Sequence, residues 1–365
     1  MTAEARPTTH PFNMHIAVHA QPAAFRTVVE STSTMVQQLA QGLAHAERLF
    51  LVGIGTSYHA ALAAEHFFRV YGGGIPTHVV HSFDFVLYGP ELTARDAVVV
   101  ITHTANKSYS VQALERVRAT DARLVLVSGE GGGAKHPWVE DVLTTVPQEQ
   151  SAAYTISYSG ALAALAALAA AIGAVRTGSQ RLDPNVLLST VPGAMSAALA
   201  TEPAVAEIAR HTKDRRRIWL VGGGPSAITA PETALKIKEA AYLMAEGMST
   251  EQMFHGPFQC AAAEDLFVLI APSGPAQERT LQLAGPVKAI GADYLLVSDG
   301  TAALAKADAL ATIDVPPVPE VFTLLSCLIP MQLLTYHYAL ACGTNPDSFH
   351  LDDARFMRAY RMNTL

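Results

Sequence analysis

The sequence predicts an α/β protein with two similar domains, each built on a parallel, doubly wound sheet flanked by helices. Three observations support this prediction. Short apolar runs alternate with helical patterns along most of the chain, and the runs are apolar at consecutive positions. One strand–loop–helix pattern also occurs twice. Runs without polar alternation are typical of strands that are buried on both faces, as in parallel sheets.

The first half contains five predicted strands. They span residues 48–53, 77–81, 96–102, 123–128 and 139–146. Helical patterns over 58–71 and 109–120 separate them, and an alanine-rich helix over 152–175 closes the unit. We interpret this last helix as a tightly packed core helix, since small residues dominate it and Ser157, Tyr158 and Ser159 interrupt its apolar surface.

The second half repeats this plan. Strands are predicted over 217–221, 265–271, 293–298 and 309–315, with helices over 229–244 and 321–341. The segment that begins at Leu51 (LVGIGTS) corresponds to the one that begins at Leu220 (LVGGGPS), 169 residues later. A repeat of this size indicates duplicated domains. We place an N-terminal domain with a leading helix at 1–190, and a C-terminal domain with a tail at 191–365.

Composition narrows the class of protein. A chain of 365 residues, half of them hydrophobic, is long enough for two domains with large cores. The formal net charge of −7 provides no basic stripe for nucleic acid. Residues 1–14 lack the pattern of a signal peptide, and three cysteines without CxxC spacing fit a reducing compartment. We therefore expect a cytoplasmic protein that binds neither nucleic acid nor membrane.

The first candidate site is the loop Gly53-Ile54-Gly55-Thr56-Ser57. Glycine permits a sharp turn and close approach of a ligand, Thr56 and Ser57 add hydroxyl groups, and the following helix directs its positive end at the loop. These features predict an anion site. The alternative is a plain strand–helix turn with Thr56 as the helix cap. The third glycine of a dinucleotide fingerprint is missing, so no such cofactor is predicted.

A second loop follows the strongest predicted strand. Its candidate ligand-binding residues are Thr102, His103, Thr104 and Lys107. Ligands of open α/β sheets bind at the carboxyl ends of strands, so hydroxyl groups, an imidazole and an ammonium group at this position favour an anion. The alternative is a capped helix with a solvated lysine.

The helix that begins near Pro231 carries further candidates. Glu232 and Lys236 stand four residues apart, which fits a surface ion pair. Glu239 lies among apolar positions, and a carboxylate held against an apolar wall can act as a general base. His255, before Gly256-Pro257, is predicted in an exposed turn where it can exchange protons. Because the 14 histidines show no HExxH or comparable spacing, we predict no metal site and no cofactor.

These residues together give the chain a resemblance to a known family. The segment ETALKIKEAAYLMAEGMSTEQMFHGP, residues 232–257, resembles the second-domain signature of the double-SIS sugar isomerases. That family includes the isomerase half of glutamine–fructose-6-phosphate aminotransferase and related deaminases and deglycases. The segments 55–59, 14–22, 332–337 and 343–347 resemble its first sugar-phosphate loop, its leading segment, its closing helix and its tail, so the likeness covers nearly the whole chain.

The resemblance implies roles for individual residues. Glu239 matches the base that moves a proton between C1 and C2, and His255 matches the ring-opening histidine, which in this family a partner subunit often supplies. Gly55, Thr56 and Ser57 match the substrate loop, and Lys236 matches a helix lysine near the active site. The implied protein is a homodimer whose active site is completed across the interface.

The chain also departs from the family pattern. The glutaminase domain is absent, so no glutamine-dependent amination is expected. Lys107 replaces the last residue of the second loop, which keeps an anion site but can change the anion, for example to a sulfonate. The tail lysine of the family corresponds to Ala354, with Arg355 adjacent; arginine binds anions but forms no imine.

The sequence thus predicts an aldose–ketose isomerase of a phosphorylated or similarly anionic sugar. Deaminase and deglycase activities use the same base and stay open. Two alternatives also stay open: an isomerase of a non-phosphate anionic sugar such as a sulfonated hexose, and a sugar-phosphate sensor without enzymatic activity.

Overall fold

The computed structural model describes residues 9–362, apart from the side chains of residues 303 and 304. The sequence predicts no signal peptide over residues 1–14. Residues 1–8 of that segment lie outside the part of the chain that the structure describes. The described chain divides into two compact units. The N-terminal sheet unit comprises residues 23–149, 156–192 and 352–362, and the C-terminal sheet unit comprises residues 9–22, 150–155 and 193–351.

The first half of the chain contains all the strands and helices that the sequence predicts, and one further helix, over residues 82–88, that it does not. The helices are α1 (Asn13–Leu43), α2 (Thr56–Tyr71), α3 (Ser82–Tyr88), α4 (Ser108–Arg118) and α5 (Ile156–Thr177). The strands are β1 (Arg48–Gly53), β2 (Thr77–His81), β3 (Asp96–Ile101), β4 (Arg123–Ser128) and β5 (Val142–Thr144). Strand β5 is shorter than the predicted run over 139–146 and begins only at Val142. Before it, the N–H group of residue 139 donates to the carbonyl oxygen of His136 and closes a turn.

The second half contains more short helices than the sequence pattern indicates. Its helices are α6 (Val191–Ala198), α7 (Glu202–Thr212), α8 (Ser226–Ala240), α9 (Thr250–Phe254), α10 (Gln277–Leu281), α11 (Ala284–Ala289), α12 (Ala303–Lys306), α13 (Thr323–Ser326), α14 (Leu328–Cys342) and α15 (Ala354–Met362). Its strands are β6 (Ile218–Gly222), β7 (Ala245–Ser249), β8 (Leu266–Ile270), β9 (Asp293–Ser298) and β10 (Ala311–Asp314).

Each unit contains one five-stranded parallel sheet, which confirms the predicted fold class. The strand orders are β2-β1-β3-β4-β5 and β10-β9-β8-β6-β7. Read from the opposite edge, the second order repeats the first, so the two sheets have the same topology. In each sheet the order reverses beside the first strand of the repeat, at the β1/β3 pair and at the β6/β8 pair. Ligands of open α/β sheets bind at this point of reversal.

The core of each unit lies between its sheet and its helices. Strand β3 is buried at every position, as are β6 and β8. The helix predicted over 229–244 ends earlier, at Ala240, because Tyr242 adopts a left-handed backbone with φ +59°. The chain then enters β7, which was not predicted. This edge strand contains Glu246 and Gly247 and lacks the continuous apolar run of a buried strand.

Two described helices are long and apolar enough to cross a membrane, α5 and the stretch Glu320–Cys342. Most of each apolar window is buried inside the protein, 78% and 83%. Both are therefore packed as core helices, in agreement with the interpretation of the alanine-rich segment. A glycine makes the packing of α5 possible: a methyl group at Gly173 would lie 1.7 Å from the carbonyl oxygen of Tyr71.

Several residues of the family-like segments hold the C-terminal sheet unit together. The carboxylate of Asp347 accepts the backbone N–H groups of Asn13 and Met14 at the start of α1, at 2.7 and 3.1 Å. Gln21 and Gln332 form a buried amide pair. These contacts give the leading segment and the tail a structural role.

Candidate functional site

The loop after β1 has the geometry of an anion site. Gly55 takes φ +58° and ψ −132°, a conformation that favours glycine, and a methyl group there would meet no atom within 4 Å. Gly53 is needed for a different reason, since a methyl group on it would lie 2.3 Å from the Ser57 carbonyl oxygen. Thr56 and Ser57 begin α2, a helix of 16 residues whose positive end faces the open space above Gly55.

The loop after β3 lies next to it, because β1 and β3 are neighbours in the sheet. Ala105 has φ +49°, and its carbonyl oxygen is 2.8 Å from His136 Nε2. The ammonium group of Lys135 donates to the Thr104 carbonyl oxygen at 2.6 Å. Lys135 is exposed and was not predicted as a site residue. The glycine-rich stretch after β4 that carries it was the available signal.

The other predicted residues of this loop differ in accessibility. Thr102 is buried, while Lys107 is exposed and precedes the first residue of α4. The Thr104 hydroxyl donates to the Asn106 side chain. Lys107 is therefore placed to meet a ligand from solvent, together with the exposed ammonium group of Lys135.

His103, predicted as an anion ligand, carries no charge in the folded protein at neutral pH. Burial, with a smaller contribution from the Lys135 charge, lowers the pKa of His103 to about 4. Its Nε2 accepts the backbone N–H of Glu149 at 3.0 Å, which requires an unprotonated Nε2. The ring lies over Gly129, where a methyl group would be 2.4 Å from its Cε1. His103 thus joins two loops as a neutral imidazole.

We expect His103 to make folding stability depend on pH. Its folded pKa lies below the unfolded value of 6.5, so the unfolded chain binds more protons between these values and stability is lost as pH falls. Between pH 7 and pH 5 the loss is about 2 kcal/mol. Urea unfolding of wild type and His103→Gln at both pH values measures it. Equal pH dependence in the two proteins would contradict the assignment, and His211→Gln, at an exposed site, is the control.

The predicted base and helix lysine lie on α8 in the C-terminal sheet unit. Lys236 is 1% exposed and Glu232 is fully buried, so the ion pair that their spacing indicates lies inside the protein and not at its surface. Lys236 Nζ lies 2.5 Å from Glu239 Oε2 and 3.8 Å from Glu232 Oε1. Glu239 was expected against an apolar wall; its carboxylate instead contacts this ammonium group, and its side chain keeps 25% exposure. A partly exposed carboxylate held by a buried cation is positioned to exchange a proton with a ligand.

His255 and Arg355 occupy exposed positions. The His255 side chain is 76% exposed, directly after α9, and its Nε2 lies 3.2 Å from a carboxylate oxygen of Glu251. The predicted turn is therefore confirmed. Arg355, on α15 in the N-terminal sheet unit, pairs with Asp353 at 2.7 Å. The functional roles of His255 and Arg355 stay predictions.

The repeated glycine loop of the C-terminal sheet unit differs from the first in charge. Gly224 also has positive φ, +56°, but the carboxylate of Glu320 faces this loop. Methyl groups on Gly274 and Gly224 would lie 2.8 and 3.6 Å from Glu320 Oε1. An anion at this position would meet a like charge, so the loop after β1 is the better anion site of the two repeats.

The fold and these loops define a class: proteins with two parallel α/β units and a ligand loop at the point where the strand order reverses. The SIS domain profile matches residues 42–171 and 212–341. The chain therefore belongs to the SIS domain family, with two copies of the domain.

Individual relatives agree with this assignment. The chain is 28% identical over 346 residues to the glutamine–fructose-6-phosphate aminotransferase (isomerizing) of Thermococcus kodakarensis, covering 93% of this chain and 56% of that protein. It spans about half the length of the curated relatives it matches.

Solved structures with low sequence identity share the fold. The C-terminal domain of glucosamine-fructose-6-phosphate aminotransferase from Francisella tularensis has a TM-score of 0.84 at 19% identity, covering 94% of this chain and 99% of the other. Tagatose-6-phosphate ketose/aldose isomerase from Escherichia coli has a TM-score of 0.76 at 18% identity, covering 94% and 96%.

Proposed function

We propose that this protein is an aldose–ketose isomerase of a phosphorylated sugar. The observation that carries the proposal is the loop after β1, where an open glycine with positive φ stands at the start of a long helix. The neighbouring loop after β3 carries the exposed Lys107, and the exposed Lys135, from the stretch after β4, contacts it. The names of the relatives, which contain fructose 6-phosphate and tagatose 6-phosphate, support the same substrate class. Deaminase and deglycase activities remain variants of this proposal.

In the proposed reaction the anionic end of the sugar binds at Gly55, Thr56 and Ser57, with Lys107 supplying positive charge. Glu239 removes the proton from C2 of the open-chain aldose, the electron pair forms the C1–C2 double bond, and the C1 carbonyl oxygen takes up a proton to give an enediol. The O2 hydroxyl group then loses its proton as Glu239 returns a proton to C1, which gives the ketose with no atom gained or lost. His255 opens the sugar ring by proton transfer at the ring oxygen. Arg355 is proposed as a further anion contact.

We also propose that the protein acts as a cytoplasmic homodimer. The 76% exposure of the His255 side chain supports a role in which this residue reaches the site of a second chain. Light scattering at the assay concentration tests the dimer, and a fully active monomer would refute it.

The decisive experiment is proton NMR in D₂O with fructose 6-phosphate, glucose 6-phosphate, tagatose 6-phosphate and glucosamine 6-phosphate. An isomerase incorporates deuterium at C1 or C2 and forms the isomer, and ammonia release identifies a deaminase.

We expect Lys107→Ala to weaken sugar-phosphate binding about tenfold, as for the loss of one charged contact. Lys238→Ala, at an exposed position on α8, is the control.

The other outcomes separate the alternatives. Binding of a sugar phosphate without deuterium incorporation would indicate a sensor. A sulfonated hexose is assayed beside these sugars, and a response to it alone would indicate that the site takes a non-phosphate anion. Binding unaffected by Lys107→Ala would remove this residue from the proposed site.

A further inference from the structure

A cluster of histidines surrounds one carboxylate in the C-terminal sheet unit. His15 and His19 lie one turn apart on α1, and Glu202 is the first residue of α7. His15 Nε2 is 2.8 Å from Glu202 Oε1, and His19 Nε2 is 2.8 Å from Oε2. His337, on α14, brings its Nε2 to 2.9 Å from Oε1. Two helices, α1 and α14, therefore direct three imidazole nitrogens at a single carboxylate on α7.

The spacing of these atoms suits a metal ion. One ligand atom from each of His15, His19 and Glu202 can be chosen so that all lie within 4.8 Å of one another. A tetrahedral ion with bonds of about 2.0–2.1 Å separates its ligand atoms by roughly 3.4 Å. To reach that separation, the two imidazole–carboxylate distances of 2.8 Å would lengthen by about 0.6 Å and any separation nearer the 4.8 Å limit would shorten. Imidazole and carboxylate are ligands that Zn²⁺ and similar divalent ions use.

The sequence-based statement that no histidines have metal-ligand spacing is wrong for this pair. His15-Ile16-Ala17-Val18-His19 places two imidazoles four residues apart, hence on one face of a helix. That spacing alone cannot identify a site, since the carboxylate comes from residue 202. The tertiary structure supplies it.

The remaining contacts fit a supported site with access to solvent. His337 hydrogen-bonds to Glu202, as groups around a ligating carboxylate commonly do. His10 packs edge-on against His15, with ring centroids 4.9 Å apart, and its Nδ1 is 2.8 Å from the Tyr336 hydroxyl. The side chains of His15 and Glu202 are less than one-fifth exposed, whereas that of His19 is 38% exposed. An ion can therefore enter beside His19.

We propose that His15, His19 and Glu202 bind one divalent transition-metal ion of the Zn²⁺ class, with His337 positioning the carboxylate. The ion joins the first turns of α1 to α7. Its role is to stabilise this part of the C-terminal sheet unit, and it is independent of the proposed isomerase activity. The competing interpretation is a hydrogen-bonded network in which the three imidazoles donate to Glu202 without any metal.

Titration of chelator-treated protein that carries no affinity tag distinguishes the two. Calorimetry with Zn²⁺ should give one ion per chain with a Kd in the micromolar range or below. Co²⁺ should produce a visible absorption band of nitrogen-ligated cobalt. Saturating Zn²⁺ should raise the Tm, because the ion binds the folded state.

Two variants assign the ligands. We expect His19→Ala and Glu202→Gln each to weaken Zn²⁺ binding at least about tenfold. Loss of a group that only supports a metal ligand already weakens binding by about that factor, so loss of a ligand itself should weaken it at least as much. His211→Ala is the matched control, since His211 also pairs with a glutamate four residues away, Glu207 on α7, but is 70% exposed. It should bind Zn²⁺ as wild type does.

The proposal is overturned if wild type takes up no more Zn²⁺ than a chain lacking His19, or if Co²⁺ gives only the spectrum of the hydrated ion. His19 is the most exposed ligand, so its truncation is the variant that disturbs folding least, and far-UV circular dichroism checks this. The Co²⁺ spectrum of wild type tests the ligation even where Glu202→Gln fails to fold.

Discussion

Glu239→Gln will lower the rate of sugar-phosphate isomerisation by about 10²- to 10⁴-fold, the usual contribution of a general base. The amide has the same shape and can still contact the Lys236 ammonium group through its oxygen, but it cannot remove a proton. The variant should therefore bind the sugar phosphate with a Kd close to that of wild type. Deuterium incorporation from D₂O, followed by NMR, measures the proton transfer directly.

The matched control is Glu246→Gln, which makes the same chemical change at an exposed position on β7. Its rate should equal that of wild type. Loss of the base should lower the rate at least about 10²-fold. A Glu239→Gln protein that retains more than about one-fifth of the wild-type rate would therefore exclude this residue as the base. Loss of activity together with loss of the folded structure would instead point to the ion pair, so the Tm of each variant must accompany the rates.

Lys236→Met will reduce the free energy of unfolding by about 3–5 kcal/mol, because it leaves a carboxylate buried without its cation. Glu232 is fully buried and 3.8 Å from Lys236 Nζ. Methionine fills a similar volume, so the loss reports charge more than packing. Urea unfolding of both proteins at pH 7 gives the difference.

A second substitution tests the cause. Adding Glu232→Gln to Lys236→Met removes the buried charge, so we expect part of the lost stability to return. Lys238→Met, two residues along the same helix but exposed, should change stability by no more than about 0.5 kcal/mol. A loss below 1 kcal/mol for Lys236→Met, against the roughly 3 kcal/mol expected for a broken buried pair, would contradict the importance of the pair.

The two predictions separate chemistry from stability on one helix. Glu239 keeps 25% side-chain exposure, whereas Lys236 and Glu232 are buried. We therefore expect the Glu239 substitution to act mainly on turnover and the Lys236 substitution on both. A general base needs a fixed position, and the buried cation beside it provides one.

The two glycine loops show why a repeated sequence need not give a repeated site. Both have a glycine with positive φ at the end of the first strand of a sheet. The local sequence patterns of the two loops are alike, because the charged residues that give the loops different electrostatics lie elsewhere in the chain. Glu320 faces the second glycine loop from a segment almost 100 residues away in the sequence. Lys135 contacts the loop after β3, which lies next to the first glycine loop.

The sequence alone determined the fold class, nearly all of the buried strands, the duplication and the family, because these follow from periodic apolar runs, glycine loops and contiguous motifs. It also indicated the exposed turn at His255. The edge strand β7 and the end of α8 at Ala240 escaped prediction, since an edge strand needs no continuous apolar run and a left-handed tyrosine has no sequence signal.

Only the tertiary structure decided the electrostatics of the candidate residues. It made His103 neutral by burial, placed Glu239 against Lys236, set Glu320 at the second glycine loop, and brought Glu202 to His15 and His19. The physical reason is common to all four. The protonation and the partners of a side chain depend on burial and on charges that approach from distant parts of the chain, and neither can be obtained from local sequence.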